Sequence, residues 1–205
     1  MTLKSRRPSR DEVHTSIIQT ARDIAATEGW PCVTVRKVAE SIGYTAPIIY
    51  EHFGSKDVML TEILIVGYAD LLKALSDIAG KEPDAAKCLR AMAIAYWEFA
   101  HEAPELYQLM YGLHGACIGD KNARMPYAAP VAKLLADTLM RYNPERINES
   151  NANAHMVEVW SMFHGLISLD LNGNMTCYAA GNEVLEIMIE DMLCALGQPI
   201  AGATT

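Results

Sequence analysis

Within the run from Val33 to Lys56, VTVRKVAESIGYTAPIIYEHFGSK, stand a guanidinium (Arg36), an imidazole (His52), an ammonium (Lys56) and the hydroxyls of Thr34, Thr45 and Tyr50. These groups hydrogen-bond anions and the polar edges of nucleic-acid bases. Arginine offers two parallel N–H donors to guanine, and lysine a point charge to phosphate. Their value depends on elements that put them on one surface, and the sequence supplies such elements. Thr34 precedes Val35, Val38, Ala39 and Ile42, apolar positions at helical spacing, and is placed to cap a first short helix. Gly43 ends that helix where the chain needs a left-handed backbone. Thr45 is expected to cap a second helix, whose first turn accepts Pro47 because the missing N–H has no partner there. Gly54 closes the second helix, and Ile49 and Phe53, four apart, mark its buried face. Two short helices joined by so tight a turn form a helix-turn-helix, which presents the N-terminal half of its second helix outward, as a reader of the DNA major groove does.

Other chemistry is sparse. There is no G-x-S-x-G elbow, no Walker loop, no dinucleotide G-x-G-x-x-G following a strand and no H-E-x-x-H, so neither an enzyme nor a cofactor is expected. His114 and Cys117 lie three apart and could take His155 or His164 as further metal ligands, but no third and fourth ligand stands in register, and no metal is expected. The five cysteines, Cys32, Cys88, Cys117, Cys177 and Cys194, stand singly and read as small hydrophobes of a reducing compartment, the cytoplasm. A denser group is aromatic and thioether in character: Tyr96, Trp97, Tyr107, Met110, Tyr111, Met125, Trp160 and Met162, with His114 and His164 beside them. Each alone reads as core. Together, with their polar tips, they suit an apolar cavity between helices that takes a small apolar or aromatic ligand.

The run Thr34-Val-Arg-Lys-Val-Ala, then Gly43, then Ile49-Tyr-Glu-His-Phe-Gly-Ser-Lys56 resembles the DNA-binding domain of the TetR family of bacterial transcriptional regulators, over roughly residues 9 to 65. The resemblance implies DNA contacts from Thr34, Val35 and Arg36 at the start of the first helix. It implies others from Thr45, Ala46, Pro47, Ile48, Tyr50, Glu51 and His52 in the recognition helix, and a phosphate contact from Lys56. Ala46, Ile48 and Glu51 depart from the commoner family pattern. Trp160 with His164-Gly165 resembles the Trp-x-x-x-His-Gly element of one TetR subgroup.

With 205 residues, about half of them apolar, the chain can bury a substantial core. Its formal net charge of -8 is uneven: residues 1–60 hold eight Lys or Arg against seven Asp or Glu, and the remainder nine against eighteen. An acidic body behind a near-neutral head restrains indiscriminate binding to DNA. No apolar run approaches the ~18 residues of a membrane span, and the basic start is followed by Asp11 and Glu12 rather than by a signal sequence.

The expected fold is all-α with about nine helices, as the resemblance also implies. Residues 1–55 would form the DNA-binding domain with a basic arm over residues 1–8, and residues 56–205 the effector-binding and dimerisation domain. Ser9 and Glu12 form a capping-box signature for a helix with Val13, Ile17, Ala21, Ile24 and Ala25 on one face, ending at Gly29. Trp30 follows as a packed connector. Ser55 caps a long helix with a stripe of Leu60, Ile63, Leu64, Gly67, Leu71, Ala74, Leu75 and Ile78. Further helices are expected from Asp84, from Pro104 to Gly112 and from Pro126. The last two, from Asn151 to about Leu171 and from about Gly181 to Leu196, are apolar on more than one side. Val157, Trp160, Phe163, Ile167 and Leu171 are joined there by Val159, Leu166 and Leu169. A neighbouring subunit is the simplest partner for a second stripe.

The reading is therefore a homodimeric DNA-binding regulator, a repressor released from double-stranded operator DNA by a small-molecule effector. The alternative is a regulator of the same fold that is constitutive or controlled by a partner protein. The long helix from Lys56 to about Ala79 is the segment expected to carry a signal from the ligand to the DNA.

Overall fold

Residues 8–116, 118–119 and 123–198 are described by the computed structural model, and among them the chain is all-α, with no strand. The nine α-helices among the described residues are α1 (Arg10–Glu28), α2 (Val35–Ser41), α3 (Pro47–Phe53), α4 (Lys56–Lys81), α5 (Ala85–Glu102), α6 (Pro104–Tyr111), α7 (Met125–Tyr142), α8 (Ala152–Leu171) and α9 (Gly181–Gly197). The expected basic arm, apart from Pro8, lies outside the described residues, as does Cys117. The chain divides into two compact units. One, the head, runs to Gly67 and takes in Glu105–Arg124; the other, the body, comprises Tyr68–Pro104 and the residues from Met125 on. The helix α4 runs without interruption through the division at Gly67.

Local signals set the head's helix ends. The N–H of Glu12 donates to Ser9 Oγ (3.2 Å) and that of Ser9 to Glu12 Oε2 (2.6 Å), completing the capping box. The backbone bond from Ser9 holds the Glu12 carboxyl below the usual carboxylate range. All five expected apolar residues of α1 are buried. A short 3-10 turn, Trp30–Cys32, follows Gly29, and buried Trp30 donates its Nε1–H to the Glu105 carbonyl at 2.9 Å. Glu105 itself is a buried acid, and Arg22 of α1 donates to its Oε1 from Nε (3.2 Å) and Nη2 (2.9 Å). Both contacts fasten the start of α6 to the head. Gly67 of α4 serves the same packing: a Cβ there would stand 2.8 Å from Met110 Sδ of α6, so a side chain at this position would require the buried Met110 thioether to shift.

The body packs α5, α7, α8 and α9 on one another. Asp84 caps α5, accepting from the N–H groups of Ala86 (2.9 Å) and Lys87 (3.1 Å). At the far end of α5, His101 Nδ1 lies 2.8 Å from the Trp97 carbonyl and Nε2 2.8 Å from Asp170 Oδ2 of α8. The first residue of α9 fits against this cluster because it is Gly181, where a Cβ would lie 2.5 Å from the Trp97 ring and 2.6 Å from Asp170 Oδ1. In α8 the buried set is Ala152, Val159, Phe163, Leu166 and Ile167, while Val157, Trp160 and Leu169 are exposed. The core face is thus rotated from the first stripe read in the sequence and takes Val159 and Leu166 from the second. In α9 Leu185, Ile189, Met192 and Leu196 are buried and Ile187 is exposed. No helix among the described residues is long and apolar enough to cross a membrane.

Candidate nucleic-acid interface

The turn between α2 and α3 fixes the candidate surface. Thr34 Oγ1 accepts from the Lys37 N–H at 3.2 Å and starts α2. The helix ends with Gly43 at φ 77°, whose N–H reaches the Glu40 carbonyl (3.1 Å) while the Tyr44 N–H reaches Ala39 (2.9 Å). This is the paired closure of a Schellman motif, and a side chain at Gly43 would strain it. The expected Thr45 cap on α3 is not formed. Ala46 is the cap residue, already helical at φ -48° and ψ -34°, and makes no side-chain cap bond. The first turn is closed instead by the backbone, Ile48 N–H to the Thr45 carbonyl and Ile49 N–H to that of Ala46, each 3.1 Å. A side-chain cap requires an extended residue at this point, and Pro47 at the start of the helix already removes one donor.

Ile49 and Phe53 are buried, as expected, so α3 turns Pro47, Tyr50 and Glu51 to solvent, with Tyr50 54% exposed. Thr34, Arg36 and Thr45 are exposed on the neighbouring segments, and Val35, Ala46, Ile48 and Lys56 are half-buried. His52 is half-buried too, its ring 6.0 Å from His14 and 6.2 Å from Phe53, and its Nδ1 is buried without a hydrogen-bond partner. Its ring therefore backs the exposed face rather than projecting from it. Contacts from α1 hold α3 in place. Arg10 Nη2 donates to the Glu51 carbonyl (3.4 Å), and His14, 4.5 Å from the Phe53 ring, pairs with Glu62 of α4 at 2.9 Å. Ser55 Oγ accepts from the Val58 N–H at 3.2 Å and so places Lys56 at the start of α4. Arg36 is joined to Glu40 (Nε to Oε1, 2.7 Å), and that bond raises its pKa. The i,i+4 spacing of Arg36 and Glu40 was open to view in the sequence. The Arg22–Glu105 pair, 83 positions apart, left no such signal.

The candidate ligand residues fall in both units. In the body, Tyr96 of α5 is buried, and Trp160 of α8 donates its Nε1–H to the Tyr96 hydroxyl at 3.2 Å. His164 lies one turn on, its ring 5.6 Å from Trp160, and burial pushes its imidazole toward the neutral form. Trp97 stacks on His101, ring centres 4.0 Å apart, and Met125 is 60% exposed. In the head, Tyr107 and Met110 are fully buried, Tyr111 packs its ring 4.7 Å from that of Tyr107, and His114 is exposed in the turn after α6. The structure thus joins Tyr96, Trp160 and His164 in one unit and Tyr107 with Tyr111 in the other. A surface hollow of about 420 Å³ in the head, lined by Pro8, Glu12, Val13, Ser16, Ile42 and Tyr44, includes none of these residues. Among the described residues no group of three His, Cys, Asp or Glu is arranged to hold a metal ion.

Residues 17–63 match the family described as bacterial regulatory proteins, tetR family, and residues 89–192 match the tetracyclin repressor-like C-terminal domain. An uncharacterised HTH-type transcriptional regulator of Mycobacterium tuberculosis is 26% identical over 161 residues, 78% of this chain and 71% of that protein. The HTH-type transcriptional repressor KstR2 of Rhodococcus jostii is 30% identical over 97 residues, 46% of this chain and 48% of KstR2, so the match spans about half of that relative. The fold is that of a protein of unknown function from Rhodococcus sp. RHA1, with a TM-score of 0.78 at 22% identity, covering 96% of this chain and 100% of the other.

Proposed function

Because the chain belongs to the TetR family of bacterial transcriptional regulators, we propose that it is a homodimeric, sequence-specific DNA-binding repressor of the cytoplasm, released from its operator by a small apolar or aromatic effector. The observation that carries this reading is the split character of α3, with Ile49 and Phe53 buried and Pro47, Tyr50 and Glu51 exposed beside Thr45 and Arg36. Residues 1–55 hold the DNA contacts: Thr34, Val35, Arg36, Thr45, Ala46, Pro47, Ile48, Tyr50 and Glu51, backed by His52, with Lys56 following on a phosphate. Residues 56–205 hold the effector and dimer functions. The exposed apolar residues Val157 and Leu169 of α8 and Ile187 of α9 support a second copy of this chain as the partner. The hydrogen-bonded pair Trp160–Tyr96, with His164 beside it, supports an effector contact in the body. The signal is carried by α4, a single helix shared by the two units. KstR2 is named a repressor, which supports that sense of regulation, although a relative matched at 22% identity is named an activator.

Selection of bound sequences from a random DNA pool tests the reading. The wild type should enrich one two-fold symmetric site, with half-sites about 34 to 36 Å apart or a multiple of that spacing. Arg36→Ala should weaken binding to that site about tenfold to a hundredfold and relax preference at one base pair. Lys56→Ala should weaken binding to all sequences and lower the slope of log affinity against log salt by about 0.9. Enrichment of no sequence, or identical behaviour of the two variants, would sink the proposal.

A further inference from the structure

The two exposed charges of α2 are placed against its own stability. Arg36 stands in the first turn, just after the Thr34 cap, where the helix dipole disfavours a cation. Glu40 stands one residue before the last, where the dipole disfavours an anion. Arginine four residues before glutamate is also the weaker order for such a pair. Yet the side chains are joined at 2.7 Å, although they are 83% and 59% exposed.

Among the described residues the pair is unlike the other ion pairs of the head. Lys37–Glu28 ties α2 to α1, His14–Glu62 ties α1 to α4, and Arg22–Glu105 ties α1 to α6. The Arg36–Glu40 pair lies within one helix and fastens no element to another. An exposed pair of this kind contributes little to folding. What it does is direct a guanidinium. The bond occupies Nε and draws the side chain along α2 toward its C-terminal end. A guanidinium held by its Nε–H has lost one of the edges by which it grips a guanine or a phosphate in bidentate fashion.

We propose that Glu40 is an intramolecular competitor for Arg36, which must leave this carboxylate before it can reach DNA, so that Glu40 sets the operator affinity without touching the operator. The proposal rests on the DNA-binding function above. It assigns to an acidic residue outside the set of contacts a tuning role that works only through Arg36.

A double-mutant cycle on the full-length protein tests it, with the selected operator duplex as probe and wild type, Glu40→Gln, Arg36→Ala and the double variant compared by competition binding at low salt. Loss of the competitor should tighten operator binding about two- to threefold in the Arg36 background, with the gain shrinking as salt is raised. In the Arg36→Ala background the gain should largely vanish, because the freed group is no longer there. Equal gains in both backgrounds would show general repulsion of phosphate by Glu40 and overturn the competition while leaving the function intact. No gain, or weaker binding, in Glu40→Gln would overturn it as well. Failure of the wild type to bind any duplex would remove the function reading and the competition together. Circular dichroism of each variant checks that α2 is retained.

Discussion

The head and the body solve different problems of specification. In the head, backbone punctuation places the exposed groups: the Ser9–Glu12 box, the Thr34 cap, Gly43 at φ 77°, Gly54 at φ 74° and the Ser55 cap each act within a few residues. In the body, faces rather than ends decide the outcome, and the faces are chosen by partners far along the chain. The helices α8 and α9 keep Val157, Leu169 and Ile187 exposed although they are as apolar as their buried neighbours. A region defined by its turns can present polar chemistry at one fixed place. A region defined by apolar faces has surface left for a partner.

Placing a charge on the body's unused face should have the largest effect. Ile187 is 60% exposed, so Ile187→Asp should leave the fold of each subunit intact. In a symmetric dimer the substitution enters the interface twice, and an unpaired charge buried in apolar surroundings is costly. Dimerisation should weaken about a thousandfold or more, read as a monomer by light scattering at micromolar concentration. A monomer that still bound the symmetric operator normally, or a variant that stayed dimeric, would mean that the exposed face is not what distinguishes the body.

The next test compares ion pairs. Arg22 and Glu105 have side chains only 24% and 8% exposed, so Arg22→Ala leaves a carboxylate stranded in the head. The expected cost is about 3 kcal/mol. In the body Arg90 bonds Glu186 (2.8 Å) and Glu190, but those acids are 58% and 67% exposed, and Arg90→Ala should cost no more than about 1 kcal/mol. Urea unfolding followed by tryptophan fluorescence measures both, with Trp30 reporting on the head and Trp97 and Trp160 on the body. Glu105→Gln in the Arg22→Ala background should recover part of the loss, because a carboxamide carries no charge to strand. Equal costs at Arg22 and Arg90 would contradict the picture of a head fastened by buried polar pairs.

How much of this was legible in the sequence follows the same division. Helix ends were readable because caps, glycines and prolines act locally, and the burial of Ile49 and Phe53 followed from spacing alone. Thr45 failed as a cap because Ala46 had already entered the helical region, a torsional detail that residue type does not reveal. Which face of α8 enters the core was not legible, because two equally apolar stripes give no basis for choosing between them, and the buried face takes Phe163 and Ile167 from one and Val159 and Leu166 from the other. That Trp30 packs was legible; that it hydrogen-bonds to Glu105 was not, since 75 positions separate them. The site divides likewise: the exposed set Arg36, Thr45, Pro47, Tyr50 and Glu51 came from the turn, whereas the inward ring of His52 depends on His14 of α1.

The smallest expected effect gives the sharpest contrast, because one substitution should change sign between the two regions. Gly43 has open space where a Cβ would be, so Gly43→Ala meets no clash; its penalty is conformational, from φ 77°. A side chain in the left-handed region costs about 1 to 2 kcal/mol, and the loss should fall on the Schellman closure that sets α3. Gly165 also has open space around it, but it sits inside α8 with an ordinary helical backbone. There Gly165→Ala should stabilise the subunit by about 0.5 to 1 kcal/mol, because alanine loses less backbone entropy on folding. Paired urea melts give both signs, and the dimer supplies the control. If the space beside Gly165 is filled by the second subunit, the gain should appear only in the Ile187→Asp monomer and turn into weaker association in the dimer. A gain of equal size in monomer and dimer would place Gly165 outside the interface. Stabilisation at Gly43 would mean that the turn is not held by its backbone torsion, and the contrast between head and body would fail at its most local point.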